Sequence, residues 1–229
     1  VSRKEEIIQA LSKEFDEELV KNHLNNLPPS YMLNQSIENM RQHLTLVQQF
    51  DGVKPLTDFS SHLDPGCREM ILVCNDKLGL FHRICTAVLL ENFTIEEARL
   101  NTRSDGVVVN NIVIRDSLKG TSISNAREFL LQDRITHYLL SDNEIPPIPK
   151  KPGAGTLGRS SFESRIKILN DISTRFTVIE SRGPNRPRAL QELTANLSVR
   201  NINIQFARIT KEGNRVTTVF YVTDPTGEK

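Results

Sequence analysis

The chain has 229 residues, 38% hydrophobic and 25% charged, with a formal net charge of +1. That is enough for one large or two small globular domains on the polar side of average, and the near-neutral balance selects neither nucleic acid nor an anionic membrane. No apolar run approaches the roughly 20 residues of a membrane helix, and the charged start VSRKEE lacks the apolar core of a signal peptide.

Taken in chain order, residues 2–26 place Ile7, Leu11, Phe15 and Leu19 at helical spacing, and Pro28-Pro29 end that helix. Ser36 caps a second helix to about Phe50, with Met40, Leu44 and Val47 on one face. Residues 1–50 are therefore a helical lead-in, the end of a preceding domain. Residues 51–68 hold Asp-Gly, Asp-Pro-Gly and Ser-Ser, the signals of a linker or edge strand. A strand (69–75), a helix (80–92), a strand (93–103), a glycine hairpin at Ser104-Asp105-Gly106, a strand (107–116) and a helix (122–140) follow.

The Pro/Gly-rich tract 141–160 reads as a flexible loop, and residues 164–170, SRIKILN, as a closing strand. The first domain, 69–171, is then a ferredoxin-like βαββαβ unit. The second, 174–229, repeats strand, helix, strand, strand, and its second helix and closing strand are missing. The fold class is α+β with antiparallel sheets. The start at Val1 and the end just past a strand read as a piece cut from a longer chain.

The two domains are one unit written twice. A shift of 109 residues takes Asp76 to Asn185, Phe81 to Leu190, Ile84 to Leu193, Val88 to Leu197, Ile95 to Ile204 and Ala98-Arg99 to Ala207-Arg208. Apolar positions hold while surface positions drift, the mark of a duplicated folding unit. Such a module suits binding or regulation, since an active site rarely occurs twice in one short chain. The helices cover one sheet face, so edges and the second face invite side-by-side pairing, within a chain or in a homodimer.

The loop before the first repeat's helix is the candidate site: Asp76, Lys77, Leu78, Gly79, Leu80 and Phe81. A helix start leaves N–H groups free for a carboxylate, Gly79 admits a ligand close to the backbone, and Asp76 offers an acceptor to an ammonium. Together they complement a free amino acid. The same spacing also fits an ordinary helix start. The five histidines are scattered, and the three cysteines (Cys67, Cys74, Cys85) lack C-x-x-C spacing, so they read as buried free thiols of a cytoplasmic protein. No catalytic motif, metal site or cofactor site is expected.

Asp-x-x-Gly-Leu-Phe, a helix, Ala-Arg on the next strand and a glycine hairpin resemble the ACT domain. The second repeat, FTVIESRGPNRPRALQELTANLSVRNINIQFARI onward, is similar to the C-terminal ACT unit of the bacterial PII uridylyltransferase/uridylyl-removing enzymes. LPPSYMLNQSIENMRQHLTLV (27–47) resembles their segment leading into the ACT pair. The resemblance covers nearly the whole chain. It implies a nitrogen-regulatory sensor that binds glutamine and switches the parent enzyme between attaching UMP to the signalling protein PII and removing it, with the catalytic domains upstream.

The family loop reads Asp-x-Pro-Gly-Leu. Repeat one keeps Asp76 and Gly79 but has Leu78 for proline; repeat two has Asn185 and Arg188 for the Asp and Gly, followed by Ala189. Asn110 and Thr218 stand where the family often has a third-strand Asp. The first site is therefore the better candidate and the second a degenerate one. The alternative function is a ligand-independent dimerisation or docking module. RNA binding is set aside, because a sheet that reads bases needs stacking aromatics and repeat two shows only Phe220-Tyr221.

Overall fold

The computed structural model describes residues 2–118, 122–143, 145, 164–186 and 188–229. The lead-in starts as two short helices where the periodicity predicts one. α1 (Arg3–Leu11) opens on a Ser2–Glu5 capping box, and α2 (Glu17–Asn25) begins where Asp16 accepts from the Glu18 and Leu19 N–H groups. That cap competes with a continuous helix, so the chain breaks at residues 12–16. Pro29 does not merely stop a helix: it starts α3 (Pro29–Asn34), where its missing N–H costs nothing. α4 (Ile37–Gln49) has the predicted Ser36 cap. Ile7, Leu11, Val20, Leu24, Tyr31, Met40 and Leu44 close this segment's own core.

The strands are β1 (Leu56–Ser61), β2 (Cys67–Asn75), β3 (Phe93–Asn101), β4 (Val107–Asp116), β5 (Arg165–Leu169), β6 (Thr177–Pro184), β7 (Asn203–Glu212) and β8 (Arg215–Thr223). The helices among them are α5 (Leu80–Leu90), α6 (Asn125–Leu140) and α7 (Ala189–Val199). The described strands form one antiparallel sheet ordered β1-β2-β4-β3-β7-β8-β6-β5. The tract expected as a flexible loop, 141–160, lies mostly outside the described residues.

The sheet order corrects one strand. In chain order β2-α5-β3-β4-α6-β5 is the expected βαββαβ string, but β5 does not close the first unit. It pairs with β6, while β1 holds the edge beside β2. Shifting β1 by the same 109 residues lands it on β5. Each half therefore brings its own edge strand in front of it. The sequence hid this because LTDFSS and RIKIL share no apolar pattern, edge strands having only one hydrogen-bonded neighbour and a half-exposed surface to satisfy.

The halves join through β3 and β7, with Ala98 opposite Ile209, Arg99 opposite Arg208 and Leu100 opposite Ala207. Arg99 and Arg208 are themselves repeat equivalents, so a pseudo-twofold axis runs between them. One continuous core lies on the helix side: Met70, Leu72, Phe81, Ile84, Ile112, Leu131 and Ile135 from the first half meet Ile179, Leu197, Ile209 and Phe220 from the second. Alternation along β2 sends Ile71 and Val73 to the opposite face, where Leu46 of α4 covers them with Val109. In the second half Phe220 is buried in the core, whereas Tyr221 on the other face meets Phe206 and Phe176 edge-on.

A polar joint locks the lead-in to the first half. Gln35 Nε2 donates to Asn111 Oδ1 at 2.9 Å, and Asn39 and Asn111 both donate to Glu69 Oε1, at 3.0 and 2.9 Å. Arg103, almost wholly buried beside the β3–β4 turn, donates to His23 Nδ1 at 2.9 Å and pairs with Asp105 at 2.7 Å. That contact fixes the remaining protons. His23 must carry its hydrogen on Nε2 and give it to the Tyr31 hydroxyl (3.1 Å), which donates to His43 Nδ1 (2.7 Å). Burial first, then Arg103, pushes the His23 pKa down to about 3; burial does the same to His43.

Candidate functional site: two clefts across the pseudo-twofold axis

β2 ends at Asn75, and the Asp76 N–H bonds the Gly106 carbonyl at 2.8 Å, holding the loop against the β3–β4 turn. Gly79, at φ +73°, is the N-cap of α5. This left-handed conformation costs a residue with a Cβ about 1–2 kcal/mol. From there α5 drops Leu80 and Phe81 into the core, Phe81 meeting Phe220 edge-on at 6.3 Å.

Each half's loop faces the other half's helix across the axis. Cleft one is lined by Gly79, Leu80, Phe81 and Asn110 from the first half and by Thr194, Ser198, Ile202, Asn203 and Ile204 from the second. Cleft two is lined by Asn185, Arg186, Ala189, Leu190 and Thr218 from the second half and by Cys85, Leu89, Phe93, Thr94 and Ile95 from the first. Applying the 109-residue shift takes Cys85, Leu89, Phe93 and Thr94 onto Thr194, Ser198, Ile202 and Asn203, so this is one place built twice. Asn110 and Thr218 also match: they pair with Leu72 and Ser181, which are equivalents.

The two places differ in room. Cleft one holds about 20 Å³ and cleft two about 90 Å³. A water needs roughly 10–15 Å³ on this measure, so cleft one takes little more than one water and cleft two about six. A Cβ added to Gly79 would stand 2.5 Å from Ser198 Oγ: the space freed by the missing side chain is filled by the other half. Asn203 Nδ2 reaches Asp76 Oδ2 at 3.5 Å, and burial, only partly offset by Asn203 and the Lys77 N–H, raises the Asp76 pKa.

Of the residues expected at the first site, Gly79, Leu80, Phe81 and Asn110 come together and Asp76 stands beside them. Lys77 does not join: its Nζ is held by the Leu139 and Ser141 carbonyls at 3.1 Å each, at the end of α6, where Arg83 also donates to Tyr138 and Ser141. Cations there complement the negative end of a helix. Leu78 is 40% exposed and outside the lining. Asn110 Oδ1 accepts from the Asn101 N–H at 3.1 Å. At the second site Asn185, Ala189 and Thr218 line the cleft, whereas Arg188 caps α7 from outside the lining. Sequence reasoning missed every residue that crosses from the opposite half. The Ala98-Arg99/Ala207-Arg208 match was the available signal, once β3 and β7 are taken as the joining strands.

Among the described residues no group of three or more His, Cys, Asp or Glu is placed to hold a metal, and all three cysteines are buried free thiols. No helix of the described residues is long and apolar enough to cross a membrane.

Fold and clefts thus define a duplicated α+β module whose halves share one sheet and meet over two small clefts. No family model matches the chain. It is similar to the bifunctional uridylyltransferase/uridylyl-removing enzymes of Erythrobacter litoralis (29% identity, 92% of this chain, 23% of the relative), Gluconobacter oxydans (28%, 88% and 22%) and Novosphingobium aromaticivorans (30%, 81% and 21%). The chain is homologous to this family of enzymes over a stretch consistent with their C-terminal region, and it spans between a fifth and a quarter of their length.

Proposed function

We propose that the chain is the ACT-type regulatory segment of a PII uridylyltransferase/uridylyl-removing enzyme, and that it senses a free amino acid, glutamine, at the junction of its two halves. The observation that supports this is the crossing geometry: a ligand at either cleft touches the helix start of one half and the strand and helix of the other. Binding there changes how the halves sit, which is what a regulatory segment must convert into a signal. On this reading the chain supplies no catalytic residue. UMP transfer to and from PII belongs to the rest of the parent enzyme, and the firm joint between lead-in and first half carries the signal towards it.

Thermal unfolding with an amino-acid panel tests this. Glutamine at a hundredfold excess over its Kd stabilises the folded chain by about 2.7 kcal/mol, with a matching rise in Tm. An unchanged Tm across the panel at millimolar concentration counts against sensing. One observation favours a second reading, a ligand-independent joint: Ser198 already fills the space beside Gly79. Light scattering that gives the same assembly state with and without glutamine, together with a flat Tm panel, selects that reading.

A further inference from the structure

We infer that the chain has one working cleft, the second, which takes a small carboxylate with an uncharged polar tail, and that the first cleft has become a self-filled joint. This rests on the ligand-sensing reading above.

The two clefts began as copies, so their differences at equivalent positions carry the argument. At cleft one the glycine survives, but its open side is taken by Ser198 Oγ, and the remaining space is about 20 Å³. Asn203 approaches Asp76, the group an ammonium would need. Lys77, the loop's only cation, is tied to the carbonyls ending α6. The loop's acid, its cation and the open side of its glycine are thus each met from within the chain.

At cleft two the equivalents run the other way. Fully buried Leu72 and nearly buried Cys74 of the first half become Ser181 and Gly183, which line about 90 Å³ of open space with Ser164. Lys77 becomes Arg186, which lines the cleft. Thr94, Gln191 and Thr218 add neutral donors and acceptors, and Leu193, Ile209 and Val216 give an apolar floor. Among the described residues the lining contains one cation and no acid. Such a set attracts a carboxylate and hydrogen-bonds an amide, and it leaves a second positive charge without a partner. Glutamine fits this rule and arginine breaks it. The sequence motif points to the first loop because it records which backbone positions stay open; it does not record what the opposite half places in that opening.

Isothermal titration of the whole chain tests the inference. Wild type is expected to bind one glutamine per chain and to give no heat with arginine. Ser181→Leu, which restores the first half's residue, and Ala189→Leu, on the helix wall, are each expected to weaken glutamine binding by at least about tenfold, with circular dichroism confirming that both fold. Ser198→Gly is expected to leave the wild-type binding event intact. Two equivalents per chain, arginine binding as well as glutamine, binding abolished by Ser198→Gly, or binding indifferent to both cleft-two variants would overturn the assignment while leaving amino-acid sensing standing. Absence of any amino-acid binding overturns both.

Discussion

The two halves share a strand order and a helix but not a burial pattern. In the first half the sheet is covered twice, by α5 and α6 on one face and by α4 on the other, so that Met70, Ile71, Leu72 and Val73 are all fully buried in succession. The equivalents in the second half are Ile179, Glu180, Ser181 and Arg182, of which only Ile179 is buried, and Glu180 and Arg182 form an ion pair at 3.0 Å on the uncovered face. β5 carries exposed Ile166 and Ile168, whereas the position equivalent to Ile168 in β1 is Phe59, packed against the core. Duplication copied the framework, and the later substitutions followed whichever elements came to lie on each face. The first half is packed against the lead-in, and the second half joins the first through the β3–β7 pair, an α5–α7 contact and the shared core. Local opening is expected to proceed from the second half, the part with fewer buried contacts.

The largest effect expected from this contrast is a pH response that arises where the lead-in packs on the first half. His23 and His43 are neutral when folded, with pKa values lowered to about 3, and regain the ordinary 6.5 when unfolded. The unfolded chain therefore binds more protons below pH 6.5. Stability is complete above that pH and falls as pH drops towards 3, by about 4 kcal/mol for the pair between pH 7 and 5. A proton on His23 Nδ1 would also face the Arg103 guanidinium that now donates to it. Urea denaturation at pH 7 and 5 measures the loss, and replacing both histidines with glutamine should remove most of it. A wild-type midpoint that ignores pH would mean the joint is open to water.

Next comes a matched pair of truncations. Leu72→Ala empties a fully buried site and should cost about 2–5 kcal/mol. Ser181→Ala, at the equivalent position, should stay within about 0.5 kcal/mol. Urea midpoints decide it, and equal costs would erase the distinction between a doubly covered half and a half-covered one.

The sequence carried the repeat, the helix and strand order within it, and the two loops, because those features rest on local periodicity and on glycine and proline punctuation. It did not carry the partner of β5. An edge strand is placed by a neighbour distant in sequence, and its own residues, Ile166 and Ile168 exposed beside Arg165 and Lys167, satisfy no core. The break at residues 12–16 was legible in Asp16, a good N-cap, yet the apolar spacing across it was equally regular. At the site, Gly79 could be named from the loop pattern, and Asn110 only through the family resemblance. Ser198, Thr94 and Cys85 could not, since they reach the clefts only through the β3–β7 register. Lys77 belongs to the loop by sequence, and its charge meets the carbonyls ending α6, the nearer in sequence 62 residues away, a contact that no local pattern announces.

The smallest of these effects isolates the joint itself. Gly79→Ala imposes two costs: the left-handed backbone, about 1–2 kcal/mol for a residue with a Cβ, and a contact with Ser198 Oγ closer than nonbonded atoms tolerate. The first cost belongs to the loop alone. The second belongs to the pair, so it should vanish when Ser198 is glycine. In a double-mutant cycle of Gly79→Ala and Ser198→Gly, the double variant should recover part of the loss caused by Gly79→Ala, leaving a coupling of about 0.5–1 kcal/mol. A coupling of zero would show that α7 gives way freely at this point, which would make cleft one a gap that opens on demand and return it to contention as a binding site. A clear coupling, measured by urea midpoints of the four proteins, fixes Gly79 as the socket for Ser198 and leaves cleft two as the opening between the halves.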